Sequence, residues 1–185
     1  MKKLLPAIAS LFILACACSK DEQSTWDEYT DWRDANNQWL TEMQAKKNPD
    51  GTPYYSTIVP SWNPGAFVLV HYFNDRKETE GNLSPIYTST IKVRYQLHLY
   101  DGTPVDSSDN ITQYGAKGIY QCRINQTIQG WGIALPDMRC GDTAEVIVPY
   151  GVGYGAQSQG SMKPYSNLRF NIRLVDIPHL ESTPY

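Results

Sequence analysis

The sequence predicts an α+β fold in which a mostly antiparallel sheet wraps around one short helix. The second half of the chain is rich in short runs of β-branched and aromatic residues that are separated by turn residues. The last run alternates most clearly, with Leu168, Phe170 and Ile172 on one face and Arg169 and Asn171 on the other. A single short helical pattern interrupts these runs, so the strands are not joined by regularly alternating helices.

The pattern predicts six strands, at residues 54–59, 67–73, 90–99, 119–124, 143–148 and 168–177. The short helix carries Ile128, Trp131, Leu135 and Met138 toward the sheet, with Gly141 just beyond its end. Pro136 falls inside this helix, where its ring is expected to remove a hydrogen bond or kink the chain.

A second helical pattern lies near the N-terminus, where large apolar residues recur at spacings of three, four and seven: Trp26, Tyr29, Trp32, Trp39, Leu40 and Met43. Ser24 or Thr25 is the candidate N-cap. Two interpretations are open for this aromatic stripe, namely packing against the domain that follows or contact with a partner, where tryptophan is enriched. Residues 48–53 contain two prolines and a glycine, which end the helix.

Composition and charge limit the possible functions. With 185 residues, 41% hydrophobic and 19% charged, the chain has the length of one domain with an appended segment. A net charge of -3 and the lack of a basic stripe argue against a nucleic-acid partner. The three histidines, His71, His98 and His179, lie far apart. No metal site and no cofactor are therefore expected.

The N-terminus has the pattern of an export signal. Lys2 and Lys3 precede an apolar run over residues 4–15, which is shorter than the ~20 residues that a membrane-spanning helix needs. The run ends in small residues and cysteines and resembles the lipobox of bacterial lipoproteins. Cys18 is the favoured lipidation site because the polar chain begins directly after it, and Cys16 is the alternative. A cleaved secretory peptide with incidental cysteines is the competing interpretation.

Lipidation would attach the protein to a membrane of the cell envelope, as an outer-membrane lipoprotein facing either the periplasm or the surface. Two cysteines remain in the body of the chain, Cys122 and Cys140. An exported protein can form disulfides, so a bridge between them and two buried free thiols are both open.

Several phrases in the second half of the chain resemble, in order and approximate spacing, the FKBP family of peptidyl-prolyl cis/trans isomerases. They are Lys92-Val-Arg-Tyr95, Asp101-Gly-Thr-Pro-Val-Asp-Ser-Ser108, Ile128-Gln-Gly-Trp131, Ala134-Leu135 with Met138, Gly141-Asp142, Pro149 with Tyr154-Gly155, and Pro164-Tyr-Ser-Asn-Leu-Arg-Phe170. The resemblance runs from about Gly81 to Ile177. It implies the family's twisted antiparallel sheet wrapped on one short helix and rotation about X–Pro bonds of unfolded or exported polypeptides.

The resemblance also implies the site. Five positions form or border an aromatic cup for the proline ring and would be catalytic: Tyr95, Asp106, Trp131, Tyr154 and Phe170. Trp131 would be the floor of the cup, between walls made by Tyr95 and Phe170. Five further positions would bind the substrate: Val105, Tyr120, Thr127, Ile128 and Met162. Outside the family context, the aromatic residues could equally be core residues and Asp106 a turn residue.

One departure from the family pattern bears on activity. Val105 stands where the family usually has phenylalanine, and the lost apolar contact predicts reduced catalysis or a changed preference for the residue before proline. A non-catalytic FKBP-like chaperone or binding module is therefore the first alternative. The second is a surface interaction protein that uses the aromatic N-terminal segment.

The resulting organisation has five parts. Residues 1–17 form the signal peptide, 18–25 a tether, 26–80 an N-terminal extension, 81–178 the FKBP-like domain and 179–185 a tail. The extension has no counterpart in the phrases above. Removal of residues 26–47 is accordingly not expected to lower activity.

Overall fold

The computed structural model describes residues 24–178, and it confirms the α+β architecture. The signal peptide, Cys16, Cys18, most of the tether and the tail at 179–185 lie outside the described residues. The helices are α1 (Thr30–Ala45), which is preceded by helical residues at 24–28, and α2 (Gln129–Ala134). The strands are β1 (Ser56–Ile58), β2 (Val68–Tyr72), β3 (Thr90–His98), β4 (Pro104–Ser107), β5 (Thr112–Gln113), β6 (Ala116–Lys117), β7 (Tyr120–Arg123), β8 (Thr143–Val148) and β9 (Leu168–Asp176).

Seven of the strands form one antiparallel sheet. Its order is β1-β2-β8-β9-β3-β4, and β7 also pairs with β3. Strand β3 is thus bordered by β9 along one side and by β7 and then β4 along the other. This arrangement places β3, which carries Tyr95, between β9 on one side and β7 and β4 on the other.

The sheet curves over α2 to enclose the main core. Trp131, Ile133, Ala134 and Leu135 are buried against apolar residues of β2, β3, β8 and β9. A Cβ atom at Gly130 would overlap Cγ1 of Val148 and come within 2.9 Å of its Cγ2, so glycine permits this close approach of helix to strand. The contact between Gly130 and Val148 therefore sets the distance between α2 and β8.

Replacement of Gly130 by alanine is expected to lower the free energy of unfolding by about 1–3 kcal/mol, because overpacking outweighs the helix propensity gained. Gly151→Ala is the matched control, since a Cβ there meets nothing within 4 Å. Urea unfolding of both variants measures the difference. Equal effects of the two substitutions would contradict the packing argument.

The end of α2 differs from a simple continuous helix. The α-helical hydrogen bonding stops at Ala134, and a 3₁₀ turn at Leu135–Asp137 contains Pro136. This is the disruption that a proline ring is expected to cause. Met138 follows and is fully buried, so the predicted inward face is retained.

The N-terminal helix packs on the same domain, in agreement with the first of the two interpretations. Trp32 contacts the main core, and Trp39, Leu40 and Met43 pack against a second cluster made by Tyr55, Leu69 and Ile147. The N-cap prediction was wrong. Ser24 and Thr25 already lie in a helical turn, and the Thr25 carbonyl accepts a hydrogen bond from the Tyr29 amide.

The predicted strands agree with β1, β2, β3, β7, β8 and β9 to within two residues at each end. The sequence analysis missed β4 and the small β5–β6 hairpin. Strand β4 holds only four residues and begins with a proline, which gives little periodic signal. Strands β1 and β2 come from the extension yet belong to the common sheet, so the core crosses the proposed boundary at residue 80.

Cys122 and Cys140 are both free and partly exposed. Burial raises the pKa of the Cys122 thiol to about 11. Within residues 24–178, no helix has the length and apolar character required to cross a membrane. The same residues include no group of three or more His, Cys, Asp or Glu placed to hold a metal ion.

Candidate active site

A cavity of about 340 Å³ opens between α2 and the concave face of the sheet. Its lining combines a set of aromatic rings with a few polar groups: Tyr95, Leu97, Asp106, Tyr120, Gln126, Thr127, Ile128, Trp131, Tyr154 and Phe170. A concave site that combines aromatic rings with convergent polar groups is the usual form of a small-molecule binding site.

The floor and walls of the cavity are rings packed edge to face. The Trp131 ring centroid lies 5.5 Å from that of Tyr95 and 5.4 Å from that of Phe170, with interplanar angles of 81° and 73°. Tyr120 meets Tyr95 at 5.7 Å. Because Trp131, Tyr95 and Phe170 are all at least 92% buried, the rings hold one another in place.

Strand pairing brings the polar side of the cavity together. Leu97 of β3 lies opposite Asp106 of β4, and the Tyr95 hydroxyl donates a 2.6 Å hydrogen bond to Oδ2 of Asp106. The Ser108 hydroxyl accepts a hydrogen bond from the Tyr95 amide and lies 3.1 Å from the Gly118 carbonyl. Asp106 is therefore oriented by the Tyr95 phenol, and it is an exposed residue of the cavity lining.

The start of α2 supplies backbone groups to the same cavity. Ile128 precedes the first turn of α2 in extended conformation. Its amide N–H has no acceptor among residues 24–178. Thr127 is anchored by its hydroxyl, which donates a 2.7 Å bond to the Ile124 carbonyl. An unpaired amide beside an aromatic cup can donate to a bound peptide carbonyl.

Tyr154 reaches the cavity from the long connection between β8 and β9. A 3₁₀ turn at Tyr150–Val152 comes before it, and the amides of Gly153 and Gly155 both donate to the Tyr150 carbonyl. These bonds close a tight loop around Tyr154. Gly155 has a φ of 62°, a conformation that glycine adopts without strain.

The phenols of the site remain protonated at physiological pH. Burial and the hydrogen bond to Asp106 raise the pKa of Tyr95 far above its usual value. Burial raises the pKa of Tyr154, with a further contribution from the charge of Asp106. Burial is also the main reason that the pKa of Tyr120 is raised. The hydroxyl groups of all three tyrosines therefore keep the proton with which they can donate a hydrogen bond.

A pH dependence follows from these shifts. Because the pKa of Tyr95 is raised in the folded state, tyrosine ionisation favours the unfolded chain, and the free energy of unfolding should fall as pH rises above about 10. The fall should be smaller in Tyr95→Phe and unchanged in Tyr114→Phe, whose side chain is 85% exposed. Urea unfolding at pH about 8 and about 10.5 makes the comparison. Identical pH dependences of the two variants would contradict the burial argument.

Eight of the ten residues proposed from the sequence line this one cavity. Val105 and Met162 do not. A bulge in the β3–β4 pairing leaves Val105 without a partner residue, and it borders a neighbouring groove beside Asp106 instead. Met162 is 5% exposed and belongs to the main core.

The sequence analysis missed two lining residues. Leu97 lies two residues after Tyr95 on the same face of β3, and strand alternation could have identified it. Gln126, in the 3₁₀ turn before α2, is the second. An exposed polar side chain in a short turn carries no periodic signal.

Comparison with known proteins assigns the chain to one family. Residues 82–175 match the sequence model of the FKBP-type peptidyl-prolyl cis-trans isomerases. The chain belongs to this family.

Individual relatives agree with that assignment. The macrophage infectivity potentiator of Trypanosoma cruzi is 37% identical over 98 residues, which cover 52% of this chain and 47% of the relative. The outer membrane protein MIP of Legionella longbeachae is 36% identical over 94 residues, covering 50% and 38%. The crystal structure of FkpA from Escherichia coli shares the fold with a TM-score of 0.63 at 20% identity, covering 84% of this chain and 63% of that one. The chain thus spans about half or less of the length of these two sequence relatives.

Proposed function

We propose that the chain is a peptidyl-prolyl cis/trans isomerase that rotates X–Pro bonds of unfolded or exported polypeptides. The aromatic cavity carries the proposal, because the family's catalytic positions converge there: Tyr95, Asp106, Trp131, Tyr154 and Phe170. Val105, which motivated the non-catalytic alternative, lies outside that lining. The aromatic rings of the cup are therefore assembled without Val105, and the expectation that the missing phenylalanine lowers catalysis stays a prediction.

The chemistry requires no nucleophile or cofactor. Rotation about a peptide bond has a barrier of ~18–20 kcal/mol because amide resonance is lost in the twisted state, and uncatalysed X–Pro exchange takes ~10–100 s at 25 °C. A site accelerates the exchange when it binds the twisted amide better than either planar form. An apolar cup favours this state, since an amide that has lost resonance is less polar and needs less hydration.

Each group of the cavity has a proposed role in that binding. Trp131 would support the proline ring, and Tyr95 and Phe170 would exclude water from its sides. The Ile128 amide and the Tyr154 phenol would donate hydrogen bonds to the substrate's carbonyl groups. Asp106 would hold the Tyr95 hydroxyl through the 2.6 Å hydrogen bond and fix the edge of the cup.

An exchange assay on an Xaa-Pro-Phe peptide series tests this function with the purified full chain. Acceleration over buffer at micromolar protein is expected, and Tyr154→Phe should reduce it. A rate equal to that in buffer, together with retained peptide binding, would instead establish the non-catalytic binding module. Loss of both rate and peptide binding would contradict any proline-directed role for the cavity.

We further propose that the protein is held in the cell envelope by a lipid on Cys18. The N-terminal sequence pattern supports this anchor, and the Legionella longbeachae relative is named an outer membrane protein. Radiolabelled palmitate should be incorporated into the wild type and into Cys16→Ser but not into Cys18→Ser. The reverse result would assign the lipid to Cys16, and labelling of neither cysteine would exclude the anchor.

A further inference from the structure

The loop that presents Tyr154 is held by residues that lie outside the segment matching the family model. Residues 149–167 connect β8 to β9, and the inner face of this connection is tied to α1, which lies before residue 82 where the family match begins. The ties consist of buried side-chain hydrogen bonds and aromatic contacts. They connect the helix to both ends of the turn around Tyr154.

The first tie passes through two asparagines that are both fully buried. Oδ1 of Asn36 accepts a 2.8 Å hydrogen bond from the backbone N–H of Asn167. Nδ2 of Asn167 donates a 2.6 Å bond to the backbone carbonyl of Asn36. Oδ1 of Asn167 in turn accepts the Tyr150 amide at 2.8 Å. Since the Tyr150 carbonyl receives the amides of Gly153 and Gly155, the chain of bonds runs from α1 to both neighbours of Tyr154.

The second tie holds the other side of the loop. Nε1 of Trp32 donates a 3.1 Å hydrogen bond to the Ser166 hydroxyl, which donates to the Lys163 carbonyl. Trp26 packs edge to face on Tyr165 at 5.3 Å, and the Tyr165 amide donates to the Gly155 carbonyl. Tyr165 has a φ of 59°, which is unfavourable for a tyrosine and persists only where its surroundings impose it.

We propose that Asn36 and Trp32 of α1 are positioning residues for the active site, acting on Tyr154 through Asn167 and Ser166. The inference rests on the proposed isomerase function and extends it to a segment outside the family match. Helix α1 thereby sets where the Tyr154 phenol stands relative to the Trp131 floor. This positioning role is the opposite of the expectation from the sequence, which was that residues 26–47 could be removed without lowering activity.

Asn36→Ala tests the proposal in the full chain. The matched control is Asn37→Ala, the adjacent asparagine on the exposed side of α1. Amide hydrogen exchange at Gly153 and Gly155 should accelerate at least about tenfold in Asn36→Ala and remain unchanged in Asn37→Ala. At temperatures where both variants are fully folded, kcat/KM for the X–Pro peptide should fall about tenfold in Asn36→Ala only, since small displacements of a positioned group cost about this much or more.

A double-substitution cycle distinguishes positioning from general stabilisation. In a Tyr154→Phe background, Asn36→Ala should cause little further loss of kcat/KM, because the group it positions is already absent. Multiplicative losses in the cycle would overturn the proposal. So would faster exchange at Gly153 and Gly155 with kcat/KM within twofold of the Asn37→Ala control.

A milder variant keeps the test decisive if Asn36→Ala does not fold. Trp32→Phe retains an aromatic ring but removes the hydrogen bond to Ser166, and Trp39→Phe is its control in the separate cluster. Only Trp32→Phe should lower kcat/KM. An inactive wild type would refute the proposed function alone, and affinity for the same peptide would then be the readout, which must fall in Trp32→Phe and not in Trp39→Phe.

Discussion

Trp131→Ala is expected to lower kcat/KM for an X–Pro peptide by at least about 100-fold. The substitution removes the floor of the cavity and one partner ring from each of Tyr95 and Phe170. Water would enter the space under the proline ring, and the remaining rings would lose their edge-to-face support. A displacement of about 1 Å in such a site is enough for losses of about 100-fold.

The same substitution should also lower the free energy of unfolding by about 3–5 kcal/mol, since Trp131 is 4% exposed. Kinetics are therefore measured well below the thermal transition, and Trp131→Phe serves as a milder variant that keeps an aromatic floor. Trp62→Ala is the control, because that ring is 59% exposed and lies outside the lining of the cavity. Comparable kinetic losses in Trp62→Ala and Trp131→Ala would refute the assignment of the floor.

Asp142→Ala is expected to be the most destabilising change outside the cavity, lowering the free energy of unfolding by about 3–5 kcal/mol. Asp142 is fully buried just before β8. Its Oδ1 accepts hydrogen bonds from the Thr79 hydroxyl at 2.6 Å and from Nδ2 of Asn74 at 3.1 Å. Its Oδ2 accepts the Arg139 amide at 2.8 Å and lies 3.5 Å from Nε of Arg76.

Removal of the carboxylate would leave the Arg139 backbone amide without its acceptor, take the shorter of two acceptors from both the Thr79 hydroxyl and Nδ2 of Asn74, and leave the Arg76 charge without one of its acid partners. Asp142 is one of several contacts that fasten the segment at 74–82 to the domain, so the segment should become more sensitive to protease in the variant. Glu78→Ala is the matched control, as an acidic residue in the same segment with an exposed side chain. Urea midpoints and limited proteolysis measure both effects. Equal midpoints for Asp142→Ala and Glu78→Ala would show that the buried network contributes little.

The sequence was sufficient to predict the strands whose residues follow a regular pattern. Strand β8 was predicted with its observed bounds, and β9 to within one residue, because β8 is rich in β-branched residues and β9 alternates between apolar and polar residues. Strand β4 could not be predicted in this way. It holds only four residues, begins with a proline and pairs with β3 through a bulge, so its pattern is too short to identify a strand.

The site residues that stand in the family's sequence motifs could be predicted. The residues whose roles depend on tertiary contacts could not. Trp131 and Tyr154 stand in such phrases and line the cavity as expected. The role of Gly141-Asp142 was invisible, because Asn74 and Thr79 lie more than 60 residues away in sequence and carry no periodic signal. The Asn36–Asn167 pair, separated by 131 residues, was missed for the same reason.

The strands contributed by the N-terminal extension have a consequence for handling the protein. Without β1 and β2, the six-residue strand β8 would become an exposed edge strand of the sheet. Its apolar side chains and unpaired backbone groups could then bind a strand of another molecule. In the intact chain that edge strand is instead β1, which has three residues and is flanked closely by Pro53 and Pro60. A shortened protein of residues 81–178 would thus expose β8 as an edge strand that can pair with a second copy of the chain. The extension prevents this self-association by covering that edge.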